Sequence, residues 1–212
     1  RLQRLEAFTT NLYANPLLTA VYIGYDNGDY FLVSPLTKAT LRQSYHAPEQ
    51  AKYVIRTLLE QAGEKRTHQL LFYDQHLNLI EQRIDPDYVY DPRQRPWYNN
   101  ALATTDVAIS KPYIYADAPL MGVTLSMRSS NSRAIVAMDL PLNGIKDALQ
   151  QLSITPHSQI ALVDSQGEVI GVNMGSAIDQ VTSTTQAPAL QHLENTALLQ
   201  LWQLPSQTQV MT

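Results

Sequence analysis

Residues 90–98 read Tyr-Asp-Pro-Arg-Gln-Arg-Pro-Trp-Tyr, the stretch of the chain richest in groups that could hold a small polar molecule. Arg95 offers a planar fork of donors that matches a carboxylate bidentately. Tyr90 and Trp97 each add one donor on a rigid aromatic body that loses little entropy on ordering. Pro92 and Pro96 restrict the backbone between them, which preorganises the group. Downstream, Lys111-Pro112-Tyr113 supplies a further phenol. Asp139 stands on an apolar run beside Ile135 and Ala137, where a carboxylate needs a partner. These residues predict a two-ended clamp, with Arg95, Trp97 and Tyr90 for an anion and Asp139 and Tyr113 for a cation. An amino acid zwitterion fits that pattern. The alternative is that Arg95 and Asp139 pair with each other, or cap local backbone, around an aromatic core.

Other chemistries find little support. The histidines His46, His68, His76, His157 and His192 are scattered, and no pair has metal-ligand spacing. There is no G-x-S-x-G elbow, no P-loop and no G-x-G-x-x-G. Asp26-Asn27-Gly28-Asp29 lacks the spacing of a calcium loop and reads as a turn. Asp85 and Asp87, which alternate with prolines, read as turn residues too. Cysteine is absent, which excludes disulfides, zinc ribbons and thiol nucleophiles. Fifteen Lys and Arg against nineteen Asp and Glu leave a net charge of −4 with no basic block, which argues against nucleic acid as the main partner. No catalytic residue, metal or cofactor is therefore expected. With 44% hydrophobic residues over 212 positions the chain is globular. No apolar run is long enough to span a bilayer, and Arg1-Leu2-Gln3-Arg4 does not open a signal peptide. The sequence reads as a soluble piece of a longer protein.

The elements that must position the clamp can be read from periodicity. Leu2, Leu5, Phe8 and Leu12 form one helix face that Asn15-Pro16 ends. Residues 21–25 and 30–33 form a hairpin across the turn at 26–29. The spacing of Ala51, Val54, Ile55, Leu58, Leu59 and Ala62 predicts a helix from Pro48 to Gly63. A second hairpin pairs residues 70–73 with 79–82. Residues 85–98 are too irregular for a plain helix or strand, and residues 99–102 complete a short helix. Strands follow at 122–128 and 134–140, the latter central and buried on both sides. Asn143 is expected to cap a helix whose buried stripe is Ile145, Ala148, Leu149 and Leu152, closed by Pro156. A third hairpin spans 160–172, a loop 176–189, and a short helix the region 190–201. Helices beside antiparallel hairpins predict an α+β fold, with the helices covering one face of a sheet.

Residues 88–142 resemble the core of a double-CACHE (dCACHE) sensor, the tandem PAS-like extracytoplasmic domain of bacterial receptors. The resemblance rests on D-P-R-x-R-P-W-Y at 91–98, K-P-Y at 111–113, Gly122 with its strand, and the apolar strand closing at Asp139-Leu140. The stretch A-V-Y-I-G-Y-D-N-G-D-Y-F-L-V at 20–33 is similar to sensors attached to HD-GYP phosphodiesterases and other cyclic-nucleotide signalling enzymes. Amino-acid-binding members carry Tyr, Arg and Trp, then a later Tyr and a later Asp. The matching positions are Tyr90, Arg95, Trp97, Tyr113 and Asp139, with Tyr98 at the neighbouring aromatic. The chain also departs from the pattern. Those members have an Asp two residues after the later Tyr, followed by Thr-Gly. Here Tyr115 stands in that place, Asp117 lies two further on, and Ala-Pro-Leu-Met-Gly at 118–122 replaces the Thr-Gly. This weakens the ammonium end and keeps open a ligand without an α-amino group, or none.

The resemblance implies a stalk helix at 1–14, a membrane-distal PAS-like ligand-binding module at 15–142, a connecting helix at 143–156, and an incomplete membrane-proximal PAS-like module at 157–212. It implies a periplasmic sensor of an inner-membrane protein, anchored by segments outside this sequence. The fragment itself would be non-enzymatic, with an enzyme or kinase as cytoplasmic output. Its partner would be an amino acid, amine or small carboxylate. Homodimerisation through the first helix is one expectation, and burial of that helix within the monomer the other. Two alternatives are a structural or partner-binding module and a periplasmic hydrolase, the latter disfavoured by the scattered histidines.

Overall fold

The structure, a computed structural model, describes residues 2–60, 66–116, 118, 120–155, 157–164, 167–173, 200 and 203. It is α+β, built on one antiparallel sheet of nine strands. The chain opens with α1 (Leu2–Ala14), followed by β1 (Ala20–Tyr25), β2 (Tyr30–Pro35), α2 (Ala39–Ser44), β3 (Tyr53–Leu59), β4 (Thr67–Tyr73) and β5 (Leu79–Asp85). After a 3₁₀ turn at Pro92–Gln94 come α3 (Pro96–Leu102), β6 (Ala108–Ile109), β7 (Tyr113–Ile114), β8 (Met121–Arg128), β9 (Ala134–Pro141) and α4 (Leu142–Gln151). A separate two-stranded ribbon pairs β10 (Ala161–Val163) with β11 (Val169–Val172). The large sheet runs β5-β4-β3-β2-β1-β9-β8-β6, with β7 also on β8.

All three predicted hairpins form. The first turns at Gly28, whose φ of 90° suits glycine, and Asn27 Oδ1 accepts the Asp29 amide. The second closes with Tyr73 opposite Leu79, and Asp74 accepts the amides of His76 and Asn78. Asp85 likewise accepts the Asp87 amide, the turn role expected of it.

The predicted helix at 48–63 is overturned: residues 53–59 are strand β3, and residue 63 lies outside the described residues. Arg56 and Thr57 are buried along with Val54, Ile55 and Leu58, so both faces of β3 are covered. A strand covered on both faces reads as a near-continuous apolar run, whose spacing also satisfies a helical template. The β-branched Val54, Ile55 and Thr57 tip the balance toward strand.

Helices cover both faces of the sheet, where one was expected. Leu5 and Leu12 of α1 pack on Val21, Phe31, Val33 and Ile55, while α3 packs Trp97 and Tyr98 on Tyr22, Tyr30 and Leu32. The cause is in β1 and β2, where residues of both parities are apolar and need cover. Burying each α1 leucine contributes about 1.5–3 kcal/mol. In α4 the helix starts at Leu142 after Pro141, so Asn143 is not the cap; its side chain accepts the Gly144 amide inside the first turn. Ile145 and Leu149 are buried against β11 and Val123, but Leu152 lies past the helix end and is 67% exposed. Pro156 and the expectations for 176–201 fall outside the described residues, apart from residue 200.

Candidate functional site

The site is built on β1, β9 and β8, three neighbouring strands. Thr124 of β8 lies directly opposite Asp139 of β9, and Tyr22 of β1 is paired with Ala137, so all three side chains share one face. Asp139 is 6% exposed. Its Oδ1 accepts from the Tyr22 hydroxyl at 2.7 Å and from Thr124 Oγ1 at 2.6 Å. Tyr113, on the short strand β7, meets Thr124 Oγ1 at 2.7 Å. The partner that burial demands of Asp139 is thus a set of hydroxyls.

The facing wall comes from residues 90–97. Asp91 accepts the Arg93 amide and ion-pairs with its guanidinium at 2.8 Å, which anchors the 3₁₀ turn and holds the Asp91 carboxyl below its ordinary pKa. Arg95 is extended, at φ −90° and ψ 147°, between that turn and the Pro96 that opens α3. Trp97 is 1% exposed and meets Tyr22 edge-on at 4.9 Å. Tyr90 packs on Tyr30 at 4.8 Å, and the Arg95 guanidinium lies 5.9 Å from the Tyr90 ring. Gly24 permits this approach: a Cβ there would stand 2.8 Å from Trp97 Cη2 and 2.9 Å from Pro92 Cβ.

Tyr22, Tyr30, Tyr90, Arg95, Trp97, Tyr113, Tyr115 and Asp139, with Ala116, line one cavity. Arg42, Arg66, Arg83 and Arg93 each hold a carbonyl or carboxylate oxygen. The Arg95 guanidinium has no such partner among the described residues. It and Asp139 therefore look onto one space. That space is tight, with about 10 Å³ open to the centre of a water molecule, room for about one water.

Two expected site residues stand apart. Tyr98 meets Trp97 edge-on at 5.5 Å but does not line the cavity, and its hydroxyl lies in the field of Asp26, Arg93 and Asp91. Asp117 lies outside the described residues. Tyr115 is a buried phenol that donates to the Val123 carbonyl at 2.9 Å. Gly122 makes that fit, since a Cβ there would fall 1.9 Å from the Tyr115 oxygen. Tyr22, Tyr30 and Thr124 belong to the site without standing out in the sequence. The available signal was the second parity of the first hairpin, Tyr22 and Tyr30.

A second cavity of about 1020 Å³ lies between β8, α4 and the β10–β11 ribbon. Its lining is mainly apolar, with the exposed Lys111–Glu168 pair at 2.6 Å among the charged groups. Among the described residues no cluster of side chains could hold a metal ion, and no helix is long and apolar enough to cross a membrane.

Burial, and then the charge of Asp139, raise the phenol pKa values of Tyr22, Tyr113 and Tyr115, with Tyr113 reaching about 12. A phenol whose folded pKa exceeds its unfolded value of about 10 contributes stability that is complete below about pH 10. That stability is lost as the pH rises through the folded value. Ultraviolet titration of phenolate is expected to show a late-ionising class, with the urea midpoint falling over the window from about pH 10 toward about 12. Ionisation of every tyrosine in one step near pH 10, with the fold intact, would contradict the buried network.

No family model matches the chain. Over 158 residues, 74% of its length, it is 30% identical to Adenylate cyclase 1 of Rhizobium meliloti, the match covering 24% of that protein. Over 66 residues, 31% of its length, it is 32% identical to the methyl-accepting chemotaxis protein McpB of Bacillus subtilis, covering 10% of it. The chain thus matches about a quarter of the first relative and a tenth of the second. Among solved structures, the ligand-binding domain of the Campylobacter jejuni chemoreceptor Tlp3 in complex with L-valine aligns over 92% of this chain and 56% of its own, at 14% identity and a TM-score of 0.44.

Proposed function

We propose that the chain is the ligand-sensing domain of a bacterial transmembrane signalling protein, and that the cavity between Arg95 and Asp139 receives a small zwitterion or amine, an amino acid by preference. One observation carries this reading: a guanidinium without a carboxylate or carbonyl partner among the described residues and a buried carboxylate line the same aromatic-walled space. Relatives named as a cyclase and a chemotaxis protein support a sensing role, since their stretches similar to this chain are small parts of longer signalling proteins. In this reading residues 15–142 form the membrane-distal ligand-binding module, 143–156 the connecting helix and 157–212 part of the membrane-proximal module, all in the periplasm. The cytoplasmic output is an enzyme or a kinase, and the residues of this chain perform no catalysis.

The tightness of the cavity fits a two-state receptor. A ligand larger than water requires a wall of this cavity to move, and a ligand shifts an equilibrium only by its differential affinity for the two states. A thermal-shift screen of amino acids, amines and small carboxylates tests the reading. A true ligand at about 100 times its dissociation constant is expected to stabilise the chain by about 2.7 kcal/mol. If no compound in those classes raises the melting temperature, the sensing assignment is wrong, and a structural module is the better reading.

A further inference from the structure

We propose that the cavity of about 1020 Å³ between β8, α4 and the β10–β11 ribbon is a second binding site, for an uncharged and mainly apolar molecule that carries one hydrogen-bond acceptor, such as a ketone. It shares only Tyr113 with the Arg95–Asp139 cavity, so the proposal stands whether or not that cavity takes an amino acid. Its volume lies at the top of the range for small-molecule sites, about 300–1,000 Å³. Leu125, Leu140 and Leu149 form part of the wall, while Leu17, Ile109 and Leu162 are left partly open to solvent around it. An apolar surface of that extent facing water is stabilised by whatever apolar body covers it.

The walls hold the space open. The ribbon already touches α4, since a Cβ at Gly171 would stand 2.6 Å from Ile145 Cγ2. Buried Asn173, just past the ribbon, ties it to the end of that helix. Its Nδ2 donates to Ser153 Oγ and to the Ser158 carbonyl, both at 2.7 Å, and its Oδ1 accepts the Ile160 amide at 2.8 Å. On another side the Lys111–Glu168 pair joins the segment before β7 to the ribbon at 2.6 Å. Collapse of the ribbon onto β8 would break these contacts, so the cavity is formed before any occupant arrives.

The lining also selects the class of occupant. Its charged residues are Lys111, Asp164 and Glu168. Glu168 pairs with Lys111, and its amide donates to Asp164 Oδ1 at 2.9 Å, so the three gather at one edge. An anionic head meets two carboxylates there, and a cationic head meets Lys111. Either would also leave water for a largely apolar wall, which is costly without a partner of its own. Ser110 supplies the one polar contact a neutral molecule can use. It is buried, and its Oγ accepts the Thr124 amide at 2.9 Å. That leaves its hydroxyl proton without an acceptor among the described residues, and a carbonyl oxygen in the cavity provides one.

The test titrates the 212-residue chain with 2-octanone, octylammonium and octanoate, which share one apolar body and differ in the head. Methyl NMR signals of Leu125, Leu149 and Leu162 report occupancy. The ketone is expected to shift all three signals and to bind at least about tenfold more tightly than either ion. Ala148 lines the cavity from α4, and Ala148→Trp is expected to abolish the Leu149 and Leu162 shifts with the circular dichroism spectrum retained. Should that variant not fold, Leu125→Trp fills the space from β8 instead. Ser110→Ala is expected to weaken the ketone by at least about threefold, the scale of one neutral hydrogen bond. Absence of any shift in the unmodified chain overturns the proposal, as does full-strength binding in a folded Trp variant. Equal binding of the ions, or an unchanged ketone affinity in Ser110→Ala, overturns the assigned class of occupant.

Discussion

Replacing Trp97 by alanine is expected to cost about 3–5 kcal/mol of folding stability, the range for deleting a large aromatic side chain from a packed interior. Trp97 is 1% exposed and touches Tyr22 at 4.9 Å, Tyr98 at 5.5 Å and Tyr30 at 6.4 Å. Beneath it lies Gly24, the strand position that has no side chain to fill a void. Relaxation into the gap is therefore limited. Against a total stability of about 5–15 kcal/mol, such a loss leaves the domain marginal. Urea unfolding followed by circular dichroism measures it. A cost below about 1 kcal/mol would mean that the aromatic wall of the cavity is not close-packed, which the contact distances exclude.

Arg95→Ala is expected to do the opposite: leave the fold and its urea midpoint nearly unchanged while removing the ligand response. Arg95 is part-exposed at an extended joint; its guanidinium lies 5.9 Å from the Tyr90 ring and has no carbonyl or carboxylate partner among the described residues. Little native structure depends on it. In the proposed site ligand binding is expected to depend on it strongly, because a bidentate contact to a carboxylate is worth about 1.5–3 kcal/mol per charge-assisted bond. Affinity should fall by at least about tenfold and as far as about a hundredfold. Calorimetric titration of both proteins with a compound that stabilises the unmodified chain reads this directly. A large drop in stability with affinity intact would show that Arg95 is a structural residue.

The contrast between these residues also shows what the sequence discloses. The 90–98 segment is legible because its prolines and aromatics fit no regular period, so its residues needed another explanation. The hairpins are legible because their turns carry Asp, Asn and Gly between apolar alternations. Residues 53–59 mislead because burial on both faces erases the period that separates strand from helix. In β8 alternation misleads in another way. Apolar Val123, Leu125 and Met127 suggest the inward face, yet Thr124 and Ser126 are the residues turned to the site, with Ser126 donating to the Trp97 carbonyl and Met127 49% exposed. A polar network buried under an aromatic layer cannot be told from a solvated face by hydropathy alone. The role of Tyr22 needs the register of β1 against β9, which only the folded sheet supplies.

The proposed site holds one bound molecule at both ends by opposite charges. Calorimetric titration of the unmodified chain with a binding amino acid, its N-acetyl derivative and its methyl ester tests this without altering the protein. The free zwitterion is expected to bind, and blocking either end to weaken binding by at least about tenfold, one charge-assisted contact each. Equal binding of all three compounds would contradict it.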